Sequence, residues 1–221
     1  MSIIDKKNKE YKASLILDDK IKEIMIGLLL GDGNLQTFSK TGKTWRLRLI
    51  QGGENHFDYI NHLRLLFDKW TVMNLTENHE NSKTGKIYKK WYFNTLTFEQ
   101  FAELGNAFYP LDSKSGKRKK IIPVQLIEWI SDLSLAYWFM DDGSSKWRNK
   151  VLSLRFCTDS FSELEIDLLI NIFKEKFHLN VTKTVNSKNK WRLYVGTENY
   201  QKIKEMIYPH IIHSMRYKFP V

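Results

Sequence analysis

The sequence predicts an α+β fold made of two similar halves, each an αββαββα unit. One type of segment occurs twice, at residues 25–33 and 135–143, and both copies are apolar runs that end in an acid followed by glycine. After each copy, apolar residues first alternate with polar ones, as in strands, and then recur at helical spacing. Several short matching sequences also occur in the same order in both halves, and such an ordered series indicates a duplication. We call these matching sequences landmarks.

The landmarks divide the chain into three parts. Lys90-Trp91 matches Lys190-Trp191, and Thr97 matches Thr197. Tyr109-Pro110, followed by Lys120, matches Tyr208-Pro209, followed by Lys218. We therefore predict an N-terminal half over residues 1–110, a basic linker containing glycine and serine over residues 111–122, and a C-terminal half over residues 123–221.

The periodicity also predicts individual elements. In the first half it predicts a helix over residues 19–31, strands over 34–39 and 45–51, a helix over 55–70, a strand pair ending at 91–95, and a helix over 98–108. In the second half it predicts a strand over 152–158, a helix over 162–177, strands over 181–185 and 191–195, and a helix over 197–207. Ser162 is the predicted helix cap, because Glu165 follows it at the capping-box spacing.

The composition favours a basic protein without a membrane span. The 221 residues carry a formal net charge of +10 and a pI near 9.5. This charge favours an anionic partner, nucleic acid first, with solubility alone as the alternative reason. Cys157 is the single cysteine, which excludes an internal disulfide and a cysteine-based zinc site. No apolar run approaches about 18 residues and no signal peptide is recognisable, so we expect a soluble protein in a reducing compartment.

Each repeated segment places a carboxylate where a helix should end. The carbonyl end of a helix carries partial negative charge, so an acid there costs about 0.3–1 kcal/mol unless a counter-charge is present. A divalent cation between the two helix ends is the simplest counter-charge, and this is the central inference from the sequence. The glycine after each acid is predicted to end the helix in a left-handed conformation.

The polar faces of the strands are predicted to form one long concave surface that binds nucleic acid. Arginine suits guanine, and asparagine or glutamine suits adenine, whereas lysines in turns can equally be solvated or contact phosphate. Trp45 and Trp147 are the tryptophans that we expect to be exposed, near strand turns. The residues predicted to contact nucleic acid are Gln36, Lys43, Arg46, Arg48, Lys86, Lys89, Tyr92, Asn94, Lys146, Arg148, Ser153, Arg155, Lys183, Lys188, Arg192 and Tyr194.

The two repeated segments resemble the paired motif of the LAGLIDADG homing endonucleases. The form is the double-motif, single-chain type, most like the yeast mitochondrial group I intron-encoded enzymes, and the resemblance covers nearly the whole chain. The run from Tyr137 to Gly143 is its most specific part. The resemblance implies motif helices packed side by side at the interface of two halves, with two antiparallel sheets forming a DNA-binding saddle. Small residues in the motif helices normally allow this close packing. The first motif has small residues at these positions, Gly27 and Gly31, whereas the second has Tyr137 and Asp141. We therefore expect the first helix to provide the room.

The resemblance also implies a set of active-site residues. Asp32 and Asp142 correspond to the metal-binding acids, and the carbonyl groups of Gly31 and Asp141 would be further ligands. Asp141 is the alternative side-chain ligand to Asp142, which we favour because it precedes glycine as Asp32 does. Lysines at the basic-pocket positions would act on water or the scissile phosphate, and one glutamine resembles an active-site position. These three residues are Lys120, Lys218 and Gln51. With oxygen ligands only, the expected ion is Mg²⁺, with Mn²⁺ substituting and Ca²⁺ binding without supporting cleavage.

The function implied is that of a monomeric, site-specific endonuclease that cuts both DNA strands with a stagger across the minor groove and so promotes intron mobility. Its target would be a long, weakly palindromic or non-palindromic duplex. Its location would be an organelle, the mitochondrion first and the chloroplast as the alternative. Two other functions stay open: a group I intron RNA maturase, whose partner is host intron RNA, and a DNA-binding protein that does not cleave.

Overall fold

The computed structural model describes residues 8–81, 86–148, 151–186 and 190–219. These residues divide into two compact units. Unit 1 contains the chain up to Ile21 together with Asp32–Asn106, and unit 2 contains Lys22–Gly31 together with the chain from Ala107 onward. Most of the first motif helix thus belongs to the same compact unit as the second motif helix. The boundaries of the duplication, at residues 110 and 123, stay a prediction.

The elements follow the predicted order closely. In the first half they are α1 (Lys9–Ser14), α2 (Asp19–Leu30), β1 (Asn34–Gln36), β2 (Arg46–Gly52), α3 (Phe57–Leu66), β3 (Thr71–Asn81), β4 (Lys86–Thr95) and α4 (Ala102–Phe108). In the second they are α5 (Leu126–Trp129), α6 (Asp132–Asp142), β5 (Gly143–Arg148), β6 (Val151–Cys157), α7 (Glu163–Phe177), β7 (Val181–Val185), β8 (Trp191–Val195) and α8 (Thr197–Ile207). The predicted capping box of Ser162 and Glu165 is present at the start of α7. No helix in the described ranges is long and apolar enough to cross a membrane.

Unit 1 is built on a four-stranded antiparallel sheet with the strand order β1-β2-β4-β3. Leu47 and Leu49 of β2 are buried, whereas Arg46 and Arg48 point to the opposite, more open face, as the alternation predicts. An aromatic cluster fills the core beside this sheet. In it the ring of Trp70 lies 4.7 Å from Phe98 and 5.3 Å from Phe101.

Unit 2 contains a second antiparallel sheet with the matching order β5-β6-β8-β7, so both sheets of the α+β fold have one topology. The second motif helix, α6, is the centre of its core. Its Trp138 ring lies 4.4 Å from Phe156 of the sheet, and its Phe139 ring lies 4.8 Å from Phe219. The aromatic side chains of this motif therefore pack in the hydrophobic core of unit 2.

The two motif helices pack closely within unit 2, and the first provides the room. A Cβ added to Gly27 would lie 2.3 Å from the carbonyl oxygen of Ser134 and 2.9 Å from the Cβ of Tyr137. One added to Gly31 would lie 2.5 Å from the Cβ of Asp141. Gly27 of α2 and Gly31, which directly follows α2, thus each face the larger residue that replaces a small one in α6. The expected asymmetry of the packing is confirmed.

Two local predictions are wrong. Gly33 is not a left-handed cap, because its φ is not positive. Gly143 is not one either, because its φ of −83° and ψ of 151° are an extended conformation that continues into β5. Glycine is needed there for space, because an added Cβ would lie 2.1 Å from the ring of Phe139. Trp45 is 1% exposed, and its Nε1 donates a hydrogen bond to the carbonyl of Gly42 at 2.8 Å. Its ring packs on Gly105, so it belongs to the core.

Candidate functional site

The acid that follows the first motif helix has a buried amide partner. Asp32 is exposed, and its Oδ2 accepts a hydrogen bond of 3.1 Å from Nε2 of Gln51. Gln51 lies near the end of β2, on the same side of the strand as the buried leucines, and is only 7% exposed. The strand thus holds a buried amide within hydrogen-bond distance of the Asp32 carboxylate.

Both lysines predicted for the basic pockets donate to the carbonyl end of a motif helix. Lys120 Nζ donates to the carbonyl oxygen of Gly31 at 2.9 Å. Lys218 Nζ donates to the carbonyl oxygens of Phe139 and Asp141, both at 3.1 Å, and to that of Met140. A positive charge at the carbonyl end of a helix stabilises it, so each ammonium supplies part of the counter-charge that the acids require.

Asp141 and Asp142 have different surroundings at the end of α6. Asp141 packs against Gly31, whose added Cβ would lie 2.6 Å from one carboxylate oxygen of Asp141. Asp142 lies near Cys157 of β6. Burial is the main reason that the pKa of the Cys157 thiol is raised, and the negative charge of Asp142 raises it further.

The described residues contain no group of three His, Cys, Asp or Glu side chains able to hold a metal ion. Each motif end instead offers carboxylate and backbone carbonyl oxygens. Zinc favours sites closed by nitrogen or sulfur ligands, whereas Mg²⁺ commonly takes one or two carboxylates, waters and substrate phosphates. The oxygen donors at each end therefore fit Mg²⁺.

One face of the unit 1 sheet carries most of the side chains predicted to contact nucleic acid in that half. The register places Asn34 opposite Arg48 and Gln36 opposite Arg46. Arg48 in turn lies opposite Asn94 of β4, and its guanidinium lies 5.7 Å from the Tyr92 ring. Asp32, Asn34, Gln36, Arg48 and Ile50 line one pocket, so this face reaches the motif acid.

The equivalent face of the unit 2 sheet is similar in layout and different in chemistry. Lys146 pairs with Ser153, and Arg155 pairs with Tyr194, whose ring lies 5.8 Å from the guanidinium. Arg192 lies on this face too, but its Nε and Nη2 donate to the two carboxylate oxygens of Asp159 at 3.0 and 3.1 Å. These hydrogen bonds hold the pKa of Asp159 below its ordinary value.

Several predicted contact residues lie elsewhere. Lys183 pairs with Leu193 on the helix-covered face, and its Nζ donates to Glu163 and Asp167 of α7, each at 2.7 Å. Lys89 lies on the same face of β4 as the buried Phe93, whereas Tyr92 lies on the opposite face. Lys43 is exposed and lies 3.3 Å from a carboxylate oxygen of Glu99. Lys188 and the side chains of Lys86, Trp147 and Arg148 lie outside the described residues.

The sequence reasoning missed two residues that shape these faces. Phe38 is 75% exposed, and the guanidinium of Arg46 lies 4.8 Å from its ring. Strand alternation was a usable signal, because Phe38 follows Gln36 by two residues. Asp159 pairs with Arg192 across a sequence separation of 33 residues, and nothing in the local pattern indicates that pair.

The chain resembles known proteins along nearly its whole length. DNA endonuclease I-ChuI of Chlamydomonas applanata is 31% identical over 209 residues, which cover 91% of this chain and 95% of that protein. The probable intron-encoded endonuclease 1 of Wickerhamomyces canadensis is 33% identical over 216 residues, covering 95% of this chain and 88% of that protein.

Solved structures agree with the fold. The homing endonuclease I-WcaI, bound to its DNA recognition sequence, matches with a TM-score of 0.84 and 31% identity, over 96% of this chain and 92% of that one. A variant of I-DmoI, solved with nicked target DNA in the presence of 2 mM Mn, shares the fold at a TM-score of 0.51 and 12% identity, over 88% of this chain and 98% of that one. The sequence profile of the LAGLIDADG DNA endonuclease family matches residues 22–203, and the chain is a member of that family.

Proposed function

We propose that this member of the family is a homing endonuclease that binds a specific double-stranded DNA site as a monomer. It hydrolyses one phosphodiester in each strand, with a stagger across the minor groove, and so promotes the mobility of its intron. The observation that carries the proposal is the chemistry repeated at the ends of the two motif helices. Asp32 follows the first motif helix and Asp142 is the last residue of the second. At each end a lysine ammonium donates a hydrogen bond to a backbone carbonyl oxygen.

The metal is proposed to be Mg²⁺, held by the carboxylates of Asp32 and Asp142 with the carbonyl oxygens of Gly31 and Asp141. Mn²⁺ would substitute, and Ca²⁺ would bind without supporting cleavage. A carbonyl oxygen has two lone pairs, so one hydrogen bond from a lysine does not by itself exclude a metal at the same oxygen. When bound, Mg²⁺ supplies an activated water and neutralises charge on the scissile phosphate.

The side chains around the acids are proposed to position and neutralise charge. Gln51 keeps the Asp32 carboxylate in one orientation through its amide. Lys120 and Lys218 keep a positive charge within reach of the motif ends, where negative charge increases as a phosphodiester is attacked. Electrostatic assistance of this kind acts on rate, because it is strongest in the transition state.

The open faces of the two sheets are proposed to bind DNA. They present Arg46, Arg48 and Arg155 beside Tyr92, Asn94 and Tyr194. Lys146 and Ser153 belong to the same face of the second sheet. Arginine and asparagine can read base edges in the major groove, and the exposed Lys43 is better assigned to a phosphate contact. Lys89 is on the opposite face of its strand and is not assigned to DNA.

The origin of the gene is proposed to be an organelle intron, because a relative of the chain is described as intron-encoded. We favour the mitochondrion, with the chloroplast as the alternative. An RNA maturase or a non-cleaving DNA-binding protein would have no need of an acid at each motif helix, so the presence of Asp32 and Asp142 favours cleavage.

A two-step experiment tests the proposed function. Duplexes bound by the protein are first selected from a random pool in Ca²⁺, and the selected duplex is then cloned in a plasmid and incubated with the protein. We expect linear plasmid with Mg²⁺ and none with EDTA, and an Asp32→Asn/Asp142→Asn double variant should bind without cutting. A selected duplex that is bound and never cut in Mg²⁺ or Mn²⁺ would contradict nuclease activity. Preference for structured intron RNA over every duplex would favour the maturase.

A further inference from the structure

Three side chains on the open face of the unit 1 sheet form a group that we name the Arg46 cluster: Gln36, Phe38 and Arg46. Arg46 is held on two sides. Its Nε and Nη2 donate to the same oxygen, Oε1 of Gln36, at 3.1 and 2.9 Å. Its guanidinium also stacks on the exposed ring of Phe38, at 4.8 Å from the ring centre.

The hydrogen bonds of this cluster fix which way the Gln36 amide points. A guanidinium has only N–H donors, so the amide atom facing Arg46 must be the oxygen. Both lone pairs of that oxygen are then used by Arg46. The amide therefore turns its NH₂ group away from the arginine, and Gln36 has lost the acceptor that a glutamine needs to read adenine.

The remaining polar groups of the cluster are donors only. They are the free N–H groups of Arg46 and the amide NH₂ of Gln36. In the major groove guanine presents two acceptors, N7 and O6, whereas adenine presents the N7 acceptor beside an amino donor. Cytosine presents an amino donor, and thymine presents one acceptor beside a methyl group. The planar guanidinium of Arg46, which can only donate hydrogen bonds, therefore matches the two acceptors of guanine.

We infer that the Arg46 cluster reads a guanine in the target DNA, an inference that rests on the proposed function. It replaces the expectation that Gln36 reads adenine. The two hydrogen bonds and the aromatic contact hold the guanidinium in one plane before DNA arrives, which lowers the entropy lost on binding and favours bidentate, in-plane recognition. Arginine can also pair with phosphate in a bidentate way, so the base preference at one position is the measurement that separates the two contacts.

Among the described side chains of the second sheet, the Arg46 cluster has no counterpart at the equivalent register. The pair at the equivalent register is Lys146 and Ser153, which has neither a guanidinium nor an amide. Only one half of the target should therefore carry a guanine selected in this way. This agrees with the expected weakly palindromic or non-palindromic site.

The test is selection of bound duplexes from a random pool in Ca²⁺, followed by sequencing, with the full chain and four variants: Arg46→Lys, Phe38→Ala, Gln36→Leu and Arg64→Lys. Wild type should enrich guanine at one position of the site, with about 10- to 100-fold discrimination. Arg46→Lys keeps the charge and removes the fork, so it should lose the preference at that position alone. Phe38→Ala should weaken the same preference. Arg64→Lys is the matched control, because Arg64 lies on α3 and pairs with Asp68, and its profile should equal that of wild type.

Each other result has a defined meaning. An Arg46→Lys profile identical to that of wild type would overturn the inference and assign Arg46 to phosphate. Enrichment of adenine at a position that Gln36→Leu abolishes would overturn it as well. A wild-type protein that enriches no sequence at all would overturn the proposed function together with the inference, so the two failures are distinguishable. Thermal unfolding of each variant checks that the fold is kept.

Discussion

The two consecutive acids at the end of α6 have different surroundings, and we propose different roles for them. Asp141 fills the space left by Gly31 of the other motif helix, which is a packing role. Asp142 is the residue that precedes glycine, as Asp32 does in the first motif. The carbonyl of Asp141, rather than its carboxylate, is the group that we assign to the metal.

Asp142→Asn is expected to reduce cleavage of one strand more than Asp141→Asn does. We expect a loss above about 100-fold for Asp142→Asn, because even groups that only orient a metal ligand commonly cost about 10- to 100-fold when changed. Asp141→Asn keeps both the shape against Gly31 and the backbone carbonyl, so its loss should be smaller. Single-turnover cleavage of the selected duplex in Mg²⁺ measures both. Equal losses would refute the preference for Asp142.

At the scale of the element, the close approach of the two motif helices depends on Gly27 and Gly31, and Gly27 is the one that faces a backbone oxygen. Gly27→Ala would gain helix propensity of about 1 kcal/mol, but its Cβ would lie 2.3 Å from a backbone carbonyl of α6, which cannot rotate away. We expect a net loss of about 1–3 kcal/mol in the free energy of unfolding, as for other overpacked cores. Gly52→Ala is the matched control, because nothing lies within 4 Å of its added Cβ. Urea unfolding measures both variants, and equal stabilities would contradict the packing described.

Lysine capping of the motif helices gives a second prediction at this scale. Lys218→Met should lower the metal-free free energy of unfolding by about 1–2 kcal/mol, because Lys218 is half-buried and donates to three carbonyls at the end of α6. It should also slow cleavage of one strand by about 10²–10⁴-fold while changing affinity little. Lys202→Met removes an exposed lysine from the carbonyl of His178 and serves as the control. Unchanged stability and rate in Lys218→Met would contradict both roles.

The elements themselves were largely predictable, because helical and alternating patterns are local. The bounds of β7, β8 and α8 are those that the periodicity predicts. What the sequence could not predict depends on partners far along the chain. Lys183 lies on the helix-covered face because β7 pairs with β8 in one particular register, and Arg192 is held by Asp159 from another segment. Trp45 is buried by Gly105 of a distant helix. Metal-site expectations for Asp32 and Asp142 stay predictions.

At the scale of the whole molecule, the net charge of +10 should act through DNA phosphates. If the sheet faces neutralise several phosphates, the logarithm of the binding constant should fall with the logarithm of salt concentration by about 0.9 per phosphate contacted. Titrations of the selected duplex in Ca²⁺ between about 50 and 200 mM salt measure this slope. A slope near zero would mean that the charge serves solubility alone.

The central claim is that the two motif acids each serve one strand of the same duplex. Strand-resolved cleavage of a supercoiled plasmid that carries the selected site tests it most directly, with Asp32→Asn and Asp142→Asn compared with wild type in Mg²⁺. We predict that wild type gives linear plasmid and that each variant accumulates nicked circular plasmid. The strand that is still cut should differ between the two variants. Binding of both variants should stay near that of wild type, because the sheet faces are unchanged. Undiminished cutting of both strands by either variant would contradict the claim.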